Sequence, residues 1–106
     1  MITLILGRGR LRTVDYEEIT INDAVKTLTA AKVKTAFMAR VYFENGPVRY
    51  TLHGVDPTTT FGLAGLDNAF VDLVGTEMNN FRSIRETATD GIARVLYLQN
   101  DSEPMG

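Results

Sequence analysis

The chain has 106 residues, about 0.7 of a typical domain at roughly 150 residues each, so a single domain is expected. Hydrophobic residues make up 44% and charged residues 23%, the balance of a globular protein able to bury a core without staples. The absence of cysteine excludes disulfides, thiolate metal sites and cysteine nucleophiles, and a net charge of −2 disfavours a dedicated nucleic-acid binder.

The chain opens on a short apolar run, Ile2 to Leu6, far below the roughly 20 residues of a membrane span. No basic residue precedes it, and Arg8, Arg10 and Arg12 follow where a signal peptide would carry a small-residue cleavage site, so a soluble, non-exported protein is expected. Those three arginines make residues 1–14 an N-terminal strand and basic arm. Asp15, Glu17 and Glu18 then open a sandwich domain over 15–99, and 100–106 reads as a mobile acidic tail.

Tyr16 to Ile21 and Val25 to Ala30 read as strands, although Asn22-Asp23 before an Ala-rich stretch also suits the cap of a short helix. Ala36 to Gly54 is the most informative stretch. Alternation puts Phe37, Ala39, Val41 and Phe43 on one face and Met38, Arg40, Tyr42 and Glu44 on the other. After Asn45-Gly46, a dipeptide suited to positive φ, Val48, Tyr50 and Leu52 again share one face. The pattern predicts a hairpin pairing Phe43 with Val48, Val41 with Tyr50 and Ala39 with Leu52, with Tyr42 opposite Arg49. Pro47 cannot donate to a two-residue loop, so a four-residue loop over Glu44 to Pro47 is the alternative.

Asn68 to Val74, Phe81 to Thr87 and Ile92 to Gln99 complete the expected strands. The fold class is therefore all-β: a small antiparallel β-sandwich of six or seven strands with flexible termini. Such a sheet has edges, and a long uncovered edge invites another chain.

Residues able to carry chemistry are sparse. His53 is the lone histidine and has one sequence neighbour of suitable chemistry, Asp56; the nearby Thr58, Thr59 and Thr60 already serve a turn, so no catalytic residue is assigned. Two ligands are fewer than the three a catalytic zinc takes, and Asp15, Glu17 and Glu18 lack the spacing of a calcium loop, so neither metal nor cofactor is expected. Gly7-Arg8-Gly9-Arg10 lacks the third glycine and the helix of a dinucleotide loop. The better use of Arg8, Arg10 and Arg12 is contact with an acidic protein surface through bidentate hydrogen bonds. Arg82, Arg85 and Arg94 are spaced as strand residues that decorate a sheet face, and Arg82 and Arg85 join the N-terminal arginines as candidate protein-contact residues.

The segment Pro47 to Gly62, with Tyr50-Thr51-Leu52-His53-Gly54 followed by Val55-Asp56-Pro57-Thr58, resembles two groups of proteins. One is the small β-sandwich modules at the C-termini of chitobiase-like glycosidases, where Asp commonly stands in place of His53. The other is a set of short bacteriophage virion proteins with a Val-Arg-Tyr-x-Leu-x-Gly-x-x-Pro-Thr segment and a later Phe-Arg-x-Ile-Arg strand, here Phe81 to Arg85. The likeness spans residues 28–98. It implies a non-enzymatic virion structural protein, above all a capsid cement or decoration protein bound to the major capsid protein lattice, assembled in the host bacterial cytoplasm. Its partners would be virion proteins and further copies of itself, a trimer suiting lattice symmetry axes, with no membrane or nucleic acid involved. A head-to-tail neck or tail fitting protein and a carbohydrate-binding module are the alternatives. For the latter only Tyr16, Tyr42, Tyr50 and Tyr97 are available as platforms.

Overall fold

The computed structural model describes residues 11–100. Within them the chain runs β1 (Leu11–Ile21), α1 (Ala30–Lys34), β2 (Met38–Asn45), β3 (Val48–Thr51), β4 (Leu63–Gly65), β5 (Phe70–Val74), α2 (Glu77–Asn80), β6 (Arg82–Arg85) and β7 (Gly91–Asn100). Seven strands form two antiparallel sheets, one ordered β1-β7-β2-β5 and the other β4-β3-β6, as the alternating pattern predicts for a sandwich. The inner faces close on a core of Ile21, Leu28, Val33, Ala39, Val41, Phe43, Val48, Tyr50, Leu73, Met78, Phe81, Ala93, Val95 and Tyr97.

The expected hairpin does not form. β2 is flanked by β7 on one side and β5 on the other, so it has no free edge to offer β3, which lies in the opposite sheet between β4 and β6. Phe43 therefore does not pair with Val48, Val41 with Tyr50, Ala39 with Leu52, or Tyr42 with Arg49. The apolar faces nonetheless meet. They meet across the interior rather than side by side, with the Phe43 and Tyr50 rings stacked at 5.2 Å between centroids and 24° between planes.

Residues 45–47 form the corner between sheets. Asn45 takes the positive φ, 72°, while Gly46 serves a different need: a Cβ there would stand 2.3 Å from the Thr89 carbonyl oxygen. The Gly46 N–H donates to Asp90 O at 3.1 Å, and Pro47 O accepts from Glu86 N. The corner's hydrogen bonds thus go to the segment joining β6 and β7, apart from the Asn45 N–H, which donates to Asp67 Oδ1 at 3.2 Å.

Other differences are local. Only Lys26 of the expected strand Val25 to Ala30 makes a bridge, to Ser83; its N–H donates at 2.8 Å and its carbonyl accepts at 2.9 Å, covering the edge of β6. The helix starts at Ala30, where Ala and Lys are good helix formers, and Thr29 ahead of it gives its hydroxyl to Glu17 rather than to a cap. Asn22 instead holds a tight turn, its side chain accepting from the Ala24 N–H. Phe37, expected inside, precedes β2 and is exposed, whereas Met38, expected outside, is buried, flanked in the sheet by Leu98 and Val74. β1 is longer than expected, beginning at Leu11, so Arg12 sits in the sheet opposite Gln99 rather than on an arm. Arg8, Arg10 and residues 101–106 lie outside the described residues.

Candidate protein-contact surface

The outer face of the four-stranded sheet combines exposed apolar surface with charge. Alternation places Tyr16 and Glu18 of β1, Leu96 and Arg94 of β7, Arg40 and Tyr42 of β2, and Asp72 and Phe70 of β5 on this face, in two rows that cross all four strands. Tyr16, Phe70 and Val74 are 43%, 52% and 50% exposed.

The charges on this face are paired within it. Arg40 donates from Nε and Nη2 to the two Asp72 carboxylate oxygens at 2.7 and 2.9 Å, a bidentate fork, and its guanidinium carbon lies 4.3 Å from the Phe70 ring centroid. Tyr42 adds an aromatic contact to Phe70 at 5.6 Å. Arg94 bonds Glu44 Oε1 through Nε at 2.9 Å, Tyr16 Oη through Nη1 at 3.1 Å, and Glu18 Oε2. The hydrogen bonds that Arg40 donates to Asp72, and that Arg94 donates to Tyr16 and Glu44, hold both guanidiniums charged beyond their already high range. This face buries no orphaned charge when covered, because every ion already has its partner.

Beneath this face, on the inner side of β1, lies a second polar cluster. The Tyr97 hydroxyl, in a fully buried side chain, donates to Glu17, which also accepts from the Thr29 N–H and hydroxyl at 3.1 and 2.7 Å. Burial first, then the Glu17 carboxylate, pushes the Tyr97 phenol well above its ordinary range. Asp15 accepts from Lys32 Nζ at 3.0 Å, and that bond holds its carboxyl below the usual value. Of the three early carboxylates, Asp15 and Glu17 lie on the inner side of β1 and Glu18 on its outer side.

The predicted contact arginines are dispersed. Arg12 donates to Gln99 Oε1 at 3.0 Å in the four-stranded sheet. Arg82 and Arg85 lie in the three-stranded sheet on opposite sides of β6: Arg82 donates to Gly54 O at 3.0 Å and faces Asp56 at 3.7 Å, while Arg85 reaches Asp90 at 2.6 Å. Arg94 decorates a sheet face, as its spacing indicates. The outer face itself was half legible in the alternation of Arg40, Tyr42 and Glu44. Its other half, from β1, β5 and β7, required the strand order.

His53 is exposed at the rim of a shallow 400 Å³ pocket with Tyr50, Thr51, Phe61, Gly62 and Leu63, its ring 6.4 Å from that of Phe61. Asp56, its expected neighbour, faces Arg82 instead. The surrounding turn is built as scaffolding: Gly54 takes φ 84°, and Thr58 Oγ1 accepts from the Thr60 and Phe61 N–H groups at 3.3 and 3.0 Å. Among the described residues no cluster of three or more His, Asp or Glu side chains is placed to hold a metal ion.

Comparison with protein families, with curated proteins and with solved structures finds no match to this chain.

Proposed function

We propose that this chain is a non-enzymatic virion structural protein of a bacteriophage, a capsid cement or decoration protein that attaches to the major capsid protein lattice. The observation that carries the reading is the outer face of the β1-β7-β2-β5 sheet: exposed Tyr16, Phe70 and Val74 set among ion pairs already satisfied within the face. A rigid sandwich with such a face suits repeated attachment to a protein array, where many weak contacts sum. The likeness of Pro47 to Gly62 and Phe81 to Arg85 to short virion proteins points the same way.

The test is sedimentation of the purified chain with capsids, and separately with tails, of the phage whose virion gene cluster encodes it. Saturable co-sedimentation with capsids is the expected result. Binding to tails or necks alone would reassign the chain as a fitting protein, and recovery on a glycan array without either would make it a sugar-binding module. Failure to sediment with any virion part would remove the reading.

A further inference from the structure

We infer that residues 2–6 of this chain dock in the apolar groove between α1 and α2, at the end of the sandwich where β1 begins. The groove has a volume of about 520 Å³. It is lined by the core residues Val33 and Met78 and, nearer solvent, by Ala30, Ala36 and the exposed Phe37. Lys34 is the only charged residue in the lining. Its long stem can lie along the rim with the ammonium in water, so the groove suits an uncharged aliphatic occupant. It opens at the end of the sandwich rather than across the outer sheet face, meeting that face only at Val74, and the inference does not depend on the attachment reading.

Strand directions fix where the occupant comes from. β1 and β2 are each antiparallel to β7, so they begin at the same end, and β5, antiparallel to β2, ends there. Leu11 pairs with Asn100, and Phe37 precedes the Met38–Leu98 pair. Leu11 therefore stands two strand spacings across and about one residue along from Phe37, roughly 10 Å away at about 4.8 Å per spacing and 3.3 Å per residue. From Leu11 back to Leu6 is five residues, which extend to roughly 17 Å, so residues 2–6 reach the groove with length to spare. Gly7 and Gly9 allow the connection to bend across the end of the sheet.

Composition selects this segment. Ile2, Leu4, Ile5 and Leu6 stand together with no charge and no proline, a run that invites aggregation when left in water. Docking removes that hazard and covers the exposed end of the core. The other segment that starts at this end, 101–106 after β7, carries Asp101, Ser102 and Glu103 and brings Met105 as its one large apolar side chain, so it offers far less apolar surface. A second copy offers the same aliphatic residues. A connection this short, however, gives the chain's own segment an effective concentration on the order of millimolar, above that of free copies in dilute solution.

The chain has no cysteine, so paired cysteine substitutions report proximity in the full chain. Asn79 is an exposed residue of the groove, and Ala88 is exposed in the β6–β7 connection at the far end of the sandwich. Leu4→Cys with Asn79→Cys is expected to oxidise to an intramolecular disulfide at least about tenfold faster than Leu4→Cys with Ala88→Cys. Adding Ile2→Ser and Leu6→Ser, which removes apolar contact without touching the described strands, is expected to lower the first rate several-fold while circular dichroism stays unchanged. Equal rates for the two pairs, or a first rate indifferent to the serines, would overturn the inference. So would a disulfide formed mainly between two chains, which gives the groove to a second copy, or faster oxidation of Met105→Cys with Asn79→Cys, which gives it to residues 101–106.

Discussion

Tyr97 shows how one buried hydroxyl links packing to pH. Its side chain is fully buried, and its hydroxyl donates to Glu17, which in turn anchors Thr29 ahead of α1. In the unfolded chain the phenol ionises near its usual value of 10.0, while burial and Glu17 raise it in the fold. The unfolded state thus sheds a proton above pH 10 that the folded state keeps. The contribution is full below pH 10 and is lost as pH rises above it, by up to about 1.4 kcal/mol per pH unit. Tyr97→Phe should cost about 1 kcal/mol at pH 7, the worth of one hydrogen bond, and flatten this alkaline decline; urea titrations at several pH values check both. Val41 and Leu52 each lie on an apolar face of the expected hairpin but differ in the fold: Val41 has no exposed surface and Leu52 is only half-buried. Val41→Ala should cost about 2–3 kcal/mol and Leu52→Ala less than about 1.5 kcal/mol in the same assay.

At the scale of elements, the corner between β2 and β3 decides the topology. Asn45 turns the chain at φ 72°, Gly46 passes beneath the Thr89 carbonyl, and Pro47 withholds a donor where a hairpin ladder would need one. Gly46→Ala would push a methyl group into backbone that cannot yield as a side chain does. A loss of about 1–3 kcal/mol in chemical denaturation is expected. A neutral outcome would mean that the β6–β7 connection moves aside. The helices are minor by comparison. α1 and α2 are single-turn elements whose Val33 and Met78 plug the core rather than build it.

For the whole molecule, the two sheets assign different work to the two sides. The three-stranded sheet is closed on one edge by residues 22–26, and its arginines are engaged with Gly54, Asp56, Gly62 and Glu86. The four-stranded sheet leaves its broad outer face to solvent. If that face and the basic residues ahead of β1 both serve attachment, replacing Arg8 and Arg10 together with Ala should leave stability within about 0.5 kcal/mol while lowering capsid binding. Thermal melting and co-sedimentation measured in parallel separate the two effects. A large fall in Tm would instead make those residues part of the fold.

Local alternation of apolar and polar residues, with Gly, Pro and Asn punctuation, was enough to determine an antiparallel sandwich, the apolar faces of β2 and β3, and the sheet-face position of Arg94. Periodicity reports which side of a strand is buried, because side chains alternate whatever the neighbouring strand is. It does not report which strand that neighbour is. Matched apolar faces over 36–54 are equally satisfied by strands lying side by side and by strands facing one another across a core, and the long-range ladders of β2 with β5 and β7 selected the second. The same limit hid the outer face: its two rows draw on residues as far apart as Tyr16 and Leu96, and only the tertiary strand order brings them onto one face of the sheet.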